Sequence, residues 1–379
     1  MPLMSQRHLF RLPEDIAFLN CANMSPQLIS VAEAGIKAVN RKAEPWRLRS
    51  EDWFSGAERL RHLAGQIMGA PGEDVAIVPS ASYGIAVAAG NVAVEPGQAI
   101  IVLDEQYPSN VYAWRVLARE RGATLHTVAR RGAASWTEPV LDAIDASVAV
   151  VAVPNCHWTD GRIVDLIAVS KRAREVGAAL VVDASQSLGA KPFDVKKIRP
   201  DFVVSVGYKW LMGPYGLGYL YAAPEYHHSG RPLEQSWLTR NGAEDFTRLV
   251  EYTDDFRPGA RRFDMGEFPQ FVLGPMAEAA LEQILEWGVE NIEAALAGFT
   301  DPIGERVTPF GADVIKPQHR VAHMTGVRLP NGPPSGLSAA LHAKNIFVSI
   351  RGDAVRVSPH LYNSQQDILR FVEVLSAHV

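Results

Sequence analysis

Five short apolar runs, separated by amphipathic stretches, constrain the fold of this chain more than any other feature. The runs are VAIVPS at 75–80, AIIVLD at 99–104, VAVVAVP at 148–154, ALVVDA at 179–184 and DFVVSVG at 201–207. They are rich in β-branched residues without polar alternation, which is typical of strands buried on both faces of a sheet. Helical periodicity lies between them, for example over 110–121 and 165–176. This pattern predicts an α/β domain built on a mostly parallel sheet.

The last third of the chain has a different pattern. Residues 224–259 form a polar, aperiodic stretch, and a loop of that length is usually functional or interfacial. Helical periodicity returns at 274, followed by the strand-like runs HMTGVRL, FVSI and AVRVS and by a final helix over 365–377. We therefore predict a large domain over residues 20–262 and a small α+β domain formed by residues 1–19 and 263–379.

Charge and composition narrow the class of protein. The chain of 379 residues has a formal net charge of −5 and mixes acids with bases, so no nucleic-acid partner is expected. No apolar run reaches the length of a signal peptide or a membrane span, so we expect a cytoplasmic protein without a membrane partner. Two cysteines, Cys21 and Cys156, are too few for a disulfide framework or a thiolate zinc site, so no metal is expected.

The segments LVVDASQS and DFVVSVGYKWLMGPYGLGYLY carry the densest chemical signal. Asp183 ends a buried strand, where α/β sheets form their ligand crevice. A buried carboxylate needs a partner, and the protonated pyridine nitrogen of pyridoxal 5′-phosphate (PLP) would be one. Lys209 stands between two aromatic residues, a setting that favours a neutral, nucleophilic amine. Alone it would more simply be a solvated loop lysine; combined with Asp183 and Gln186 it predicts a PLP enzyme.

These motifs, in this order and spacing, resemble the class V aminotransferase family. That family is the branch of fold-type I PLP enzymes that includes cysteine desulfurases, kynureninases and isopenicillin N epimerases. The resemblance extends from FLNCA at 18–22 to HLYN at 360–363. It implies PLP as the cofactor, an amino-acid substrate and a homodimer with the fold-type I architecture.

The resemblance also implies roles for individual residues around the cofactor. Lys209 would carry PLP as a Schiff base, Asp183 would pair with the pyridine nitrogen, and Gln186 would donate to the ring's phenolic oxygen. Tyr208 takes the position of a phosphate ligand, since a phenol can donate that hydrogen bond. Ser205 is a second phosphate candidate, one residue farther from the lysine than its counterpart in desulfurases.

Two segments earlier in the chain resemble the family's other cofactor contacts. In VPSASYGIAVAA at 78–89, Ala81 and Ser82 match the helix start that binds the phosphate through backbone amides. The same letters also suit an ordinary serine cap. In DEQYPSNVYAW at 104–114, Tyr107 matches the ring that stacks on the cofactor, with a core tyrosine as the alternative.

Substrate contacts are implied in two further segments. Arg356, in SIRGDAVRVSPHLYN at 349–363, matches the arginine that binds the substrate's α-carboxylate. Arg351 is equally an auxiliary ligand or a surface residue. In NCHWTDG at 155–161, Trp158 stands where desulfurases have an asparagine, so Trp158 and His157 are candidates for substrate selection, or core residues.

Two features depart from the family pattern. Desulfurases use a loop cysteine in the C-terminal third, and this chain has none after Cys156, so that activity is not expected. In RFDMGEFPQ at 262–270, Glu267 replaces a threonine that reaches the neighbouring subunit's phosphate. A carboxylate would repel a phosphate, which puts that contact in doubt.

Three functions are compatible with these residues. The first is an aminotransferase, in which Lys209 acts as general base. The second is a C–S or β-lyase, or an amino-acid epimerase, which would use the same residues. The third is a catalytically silent protein that keeps the PLP fold for binding, and retention of Lys209, Asp183, Gln186 and Arg356 together argues against it.

Overall fold

The computed structural model describes residues 3–130 and 132–378, and its largest feature is a seven-stranded sheet with helices on both faces. The strands are β1 (Ala17–Phe18), β2 (Val75–Val78), β3 (Ala99–Leu103), β4 (Thr124–Val128), β5 (Val148–Pro154), β6 (Ala179–Asp183), β7 (Phe202–Val206), β8 (Gly218–Ala222), β9 (Asp313–Val314), β10 (Thr325–Arg328), β11 (Ile346–Phe347), β12 (Ser349–Arg351) and β13 (Ala354–Val357). The α-helices are α1 (Ile29–Lys42), α2 (Ser55–Met68), α3 (Ala81–Ala89), α4 (Tyr112–Arg121), α5 (Thr137–Ala143), α6 (Leu166–Val176), α7 (Val195–Ile198), α8 (Tyr226–Ser229), α9 (Leu273–Trp287), α10 (Val289–Val307), α11 (Leu337–Ala343) and α12 (Gln365–Ser376).

The large sheet has the strand order β2-β8-β7-β6-β5-β3-β4, and β8 runs antiparallel to both of its neighbours. The other neighbouring strands pair in parallel. All five apolar runs form strands of this sheet, so the predicted mostly parallel α/β architecture is confirmed. Strand β4 is absent from the sequence-based prediction, because an edge strand with mostly exposed side chains lacks the continuous apolar pattern.

Parallel pairing brings the ends of β5, β6 and β7 to one edge of the sheet. Pro154 pairs with Asp183, and Asp183 pairs with Val204, so the loops that follow these strands open onto the same crevice. The start of α3 lies close to this edge, because Gly84 in its second turn packs against Val204. A Cβ atom at Gly84 would lie 2.8 Å from Val204 Cγ1.

A four-stranded antiparallel sheet, with the order β12-β13-β10-β9, forms a second unit in the C-terminal part. Its core includes side chains from α10 and α12. The N-terminal strand β1 pairs in parallel with β11, Ala17 with Ile346, and so joins this unit. Helix α9 packs instead against α1 and α2. The predicted domain boundary between residues 262 and 263 stays a prediction.

In the described part of the chain, no helix has both the length and the apolar character needed to span a bilayer.

The close approach of α3 to β7 predicts that Gly84→Ala destabilises the protein. The added methyl would meet both Val204 methyl groups at 2.8 and 2.9 Å, and overpacking of this kind costs about 1–3 kcal/mol. Gly298→Ala is the matched control, because Gly298 lies exposed within α10 and an added methyl there would meet open space. It should raise the free energy of unfolding by up to about 1 kcal/mol. Urea unfolding of both variants tests this, and equal effects would contradict the packing argument.

Candidate functional site

A cavity of about 170 Å³ opens at the carboxyl edge of the large sheet. Its walls come from the start of α3, the loop after β3, the ends of β5 and β6 with the residues that follow, and the segment after β7. The lining includes these residues predicted from the sequence: Ala81, Ser82, Tyr107, Trp158, Asp183, Gln186, Tyr208 and Lys209. Motifs spread over more than a hundred residues of sequence therefore converge on one cavity.

Lys209 reaches this cavity from the turn that follows β7, and its side chain is 6% exposed. The Nζ atom lies 5.3 Å from the centre of the Tyr107 ring and 5.7 Å from that of Tyr208. Burial lowers the pKa of Lys209 to about 8, and the negative charge of Asp183 opposes this effect only in part. Lys209 therefore has a substantial neutral fraction near pH 8, and the neutral amine is the nucleophilic form.

Asp183 is the last residue of β6, and its carboxylate is buried beside the cavity. Its Oδ1 atom accepts a hydrogen bond from the backbone N–H of Ser185 at 3.0 Å. No lysine, arginine or histidine within residues 3–130 and 132–378 forms an ion pair with it. The Ser185 hydroxyl is also buried without a partner. A buried carboxylate in this state favours a ligand that brings a positive N–H group.

The start of α3 presents backbone donors to the cavity. The Ser80 hydroxyl caps the helix by accepting from the N–H of Tyr83 at 3.2 Å, and its oxygen lies 2.9 Å from that of Ser82. The N–H groups of Ala81 and Ser82 belong to the first turn, which has no acceptors of its own. Such amides, together with the helix dipole, bind anions such as phosphate.

Arg356 lies on β13 next to the cavity wall rather than in its lining. The side chain is 1% exposed, its Nη1 donates to the Trp158 carbonyl oxygen at 2.8 Å, and its Nε is buried without a partner. Burial lowers the pKa of Arg356 to about 9, and the charge of Arg351 adds to this effect. In the part of the chain that the structure describes, no carboxylate pairs with Arg356, so it is suited to bind an anionic ligand group.

Tyr107 and Trp158 form an aromatic wall. Their rings meet edge to face with centroids 5.5 Å apart, and the Trp158 Nε1–H donates to the Glu105 carbonyl oxygen at 2.7 Å. Arg351 places its guanidinium 5.8 Å from the centre of the Trp158 ring. Trp158 therefore lines the cavity and also contacts both arginines of the small sheet.

Two more predicted residues, Ser205 and His157, lie outside the cavity lining, as Arg356 does. The Ser205 hydroxyl is buried within β7 and contacts the Val206 carbonyl oxygen at 3.4 Å. The His157 ring stacks on Trp136 and bonds through its two nitrogens to Thr159 Oγ1 and the Asp104 carbonyl oxygen. Both side chains already have partners within the fold, so these contacts are structural.

Some residues of the lining were not identified from the sequence. Ser185 and Cys156 follow the ends of β6 and β5, so the strand-end argument used for Asp183 would have identified both. Tyr215, in the glycine-rich turn after Lys209, lines the cavity, and its ring centre lies 4.5 Å from that of Tyr208. Burial raises the pKa of the Cys156 thiol to about 12, so this cysteine is not an activated nucleophile.

The family model described as aminotransferase class-V matches residues 46–371, which is most of the chain. Among curated proteins, the chain is similar to the uncharacterized aminotransferase YcbU of Bacillus subtilis, with 23% identity over 352 residues that cover 92% of this chain and 91% of that protein. It is also similar to a probable cysteine desulfurase of Methanothermobacter thermautotrophicus, with 26% identity over 335 residues that cover 84% and 82% of the two chains.

Among solved structures, the chain is similar to C-DES with glycine covalently linked to its PLP cofactor. The TM-score is 0.88 at 16% identity, over 99% of this chain and 100% of that chain. A complex of the same protein, described as a cystine C–S lyase, with cysteine persulfide gives a TM-score of 0.85 at 16% identity, over 96% and 98% of the two chains. At this identity the likeness shows the fold, which confirms the predicted fold-type I architecture.

The burial of Lys209 predicts an unusual pH dependence for its reactivity in the cofactor-free protein. Acetic anhydride labelling followed by mass spectrometry should give a midpoint near pH 8 for Lys209, well below the usual lysine value of about 10.4. Asp183→Asn should move the midpoint to lower pH, because Asp183 stabilises the charged amine. Exposed Lys196 provides the internal reference for the reagent. A midpoint for Lys209 near the usual lysine value would contradict the burial argument.

Proposed function

We propose that this chain, which belongs to the aminotransferase class-V family, is an aminotransferase that acts on an amino acid. Enzymes of this family depend on PLP, so the chain is a PLP enzyme, and the alternative of a catalytically silent binding protein is not retained. One observation carries the proposal for the site. A single cavity joins a buried lysine of lowered pKa, an unpaired carboxylate and the free start of a helix.

The residues of the cavity fit PLP in charge and in hydrogen bonding. The first-turn amides of α3 at Ala81 and Ser82 would hold the phosphate, with Tyr208 as a further donor. Asp183, which has no cationic partner among the described residues, would hold the protonated pyridine nitrogen. Lys209 would hold the cofactor covalently, and when bound the cofactor supplies an electron sink for bonds at the substrate's Cα. Ser205 remains a lower-ranked phosphate ligand, because its hydroxyl already contacts the backbone.

The protein's own groups account for binding, orientation and proton movement. Arg356 would bind the α-carboxylate through the guanidinium atoms that do not contact Trp158. Fixing the carboxylate orients the Cα–H bond, and the Lys209 amine, neutral in part near pH 8, can accept that proton and return it. The Tyr107 ring lines the cavity and would stack on the cofactor.

A C–S or β-lyase is the second candidate function. The likeness to the cystine C–S lyase C-DES and to a probable cysteine desulfurase supports it. A desulfurase that uses a cysteine in its C-terminal third is not proposed, because the sequence has none after Cys156. The aminotransferase proposal comes first because the matching family model is described as aminotransferase class-V. In addition, burial raises the pKa of both thiols, so neither is an activated sulfur acceptor.

The assembly and location stay predictions. A homodimer and a cytoplasmic location follow from the resemblance and from the lack of apolar segments, respectively. Glu267 is exposed in the isolated chain. No contact between its carboxylate and a neighbouring subunit's phosphate is proposed.

Product analysis in a single turnover distinguishes the two chemistries. The purified protein should show the visible absorbance of lysine-bound PLP, and a panel of amino acids, including cystine, should discharge it. An aminotransferase releases the keto acid in equal amounts with pyridoxamine phosphate, whereas a lyase restores the band and releases ammonia and pyruvate. Lys209→Ala should abolish both outcomes. Turnover of any amino acid by Lys209→Ala would contradict the assignment of Lys209.

Replacement of Arg356 tests the carboxylate site. Arg356→Lys keeps the charge but loses two-point binding, so KM for amino acids should rise by about tenfold or more. For the corresponding amines, which lack the carboxylate, KM should change little. Arg351→Lys is the control, because Arg351 reaches Trp158 through its guanidinium and its Nη1 donates to the Ile350 carbonyl oxygen. An unchanged KM in Arg356→Lys would overturn the carboxylate role.

A further inference from the structure

Trp210 follows Lys209 in sequence and is fully buried outside the cavity lining. Its indole Nε1–H donates to Gln186 Oε1 at 3.0 Å. Gln186, in contrast, is part of the lining. Trp210 therefore contacts the cavity only through another residue.

The side-chain amide of Gln186 has one orientation that satisfies its neighbours. Its Nε2 donates to the Ala22 carbonyl oxygen at 3.0 Å, and its Oε1 accepts from Trp210. An indole N–H can only donate and a backbone carbonyl can only accept. Rotation of the amide by half a turn would place two donors together and two acceptors together, and both hydrogen bonds would be lost.

This orientation leaves a donor for the cavity. The amide nitrogen carries two hydrogens, and the bond to Ala22 uses one of them. With the opposite orientation, Gln186 would present an oxygen to the cavity instead. Trp210 and Ala22 therefore determine whether Gln186 presents an N–H donor or an oxygen acceptor to the cavity. Both residues are distant from Gln186 in sequence.

His323 contacts both the main chain of Gln186 and the ring of Trp210. Its Nε2 lies 2.6 Å from the Gln186 carbonyl oxygen, so this nitrogen carries the hydrogen, because a carbonyl oxygen can only accept. Burial lowers the pKa of His323 to about 3, which keeps the ring neutral. The ring also meets Trp210 edge to face with centroids 4.3 Å apart. His323 thus fixes the main chain of Gln186 and the plane of the indole together.

We propose that Trp210 is a positioning residue, which orients the amide of Gln186 so that an N–H group faces the phenolic oxygen of the bound cofactor. This inference rests on the proposed function, because it requires PLP on Lys209. A donor at that oxygen withdraws negative charge that would otherwise stabilise a proton on the cofactor-bound Lys209 nitrogen. Loss of the indole N–H should therefore make that nitrogen more basic.

The test is a pH titration of the visible absorbance of PLP-loaded protein. In Trp210→Phe the midpoint should move upward by about one pH unit, the size expected for one hydrogen bond to a charged oxygen. In a Gln186→Met background the same change should cause no further shift. Trp114→Phe is the matched control, because Trp114 is equally buried and donates to the Asn110 side chain at 2.9 Å. Neither of those two residues lines the cavity, so the midpoint should stay at the wild-type value.

A second variant separates the hydrogen bond from the packing of the ring. Incorporation of benzothienylalanine at position 210 keeps the shape of tryptophan and replaces the N–H by sulfur, and it should reproduce the shift of Trp210→Phe. If the wild-type band does not titrate in the accessible pH range, the affinity for PLP is measured instead. Trp210→Phe and the benzothienylalanine variant should then bind PLP about tenfold more weakly than the wild type.

The outcomes separate this inference from the proposed function. Wild-type protein that takes up no PLP refutes the proposed function. Wild-type protein that binds PLP and variants that match it in midpoint or affinity refute the role of Trp210. An equal shift in the Gln186→Met background also refutes it, because Trp210 would then act by another route.

Discussion

Three charged groups, Asp183, Lys209 and Arg356, are buried around one edge of the large sheet, and the described residues form no ion pair with any of them. Burial of an unpaired charge is unfavourable, and the lowered pKa values of Lys209 and Arg356 express that cost. The buried pair of Arg61 and Asp264 provides a contrast, because each charge there is compensated within the protein. A site with uncompensated charges is suited to ligands that carry the complementary ones.

The fold keeps these groups in place through contacts between distant parts of the chain. The parallel register of β5, β6 and β7 sets Asp183 beside the loops that carry Trp158 and Lys209. The small sheet contributes Arg356, which lies opposite Gly326 on β10, and the hydrogen bond from Arg356 to the Trp158 carbonyl oxygen joins this sheet to a loop of the large one. The relative position of the two sheets therefore determines the distance between the Lys209 amine and the Arg356 guanidinium.

In the proposed function, cofactor binding and substrate selection depend on different parts of the site. The groups suited to hold PLP come from the edge of the large sheet and the start of α3, and the family includes enzymes with different reactions. The wall formed by Tyr107 and Trp158 places a bulky indole next to the arginines. In the proposed function this wall would limit the size of the substrate, whereas the cofactor would supply the electron sink.

The sequence determined the buried strands of the large sheet and the edge at which the crevice opens, because buried strands have a continuous apolar pattern and their ends define the crevice. Asp183 was predictable in this way, whereas Lys209 was predicted from its aromatic neighbours and Gln186 from the family resemblance. Tertiary structure alone decided that Ser205 and His157 have partners outside the cavity and that Arg356 donates to the Trp158 carbonyl oxygen. The tertiary structure also decided the orientation of the Gln186 amide, through its hydrogen bonds with Ala22 and Trp210. Burial and hydrogen-bond partners come from segments far apart in sequence, so local pattern cannot specify them.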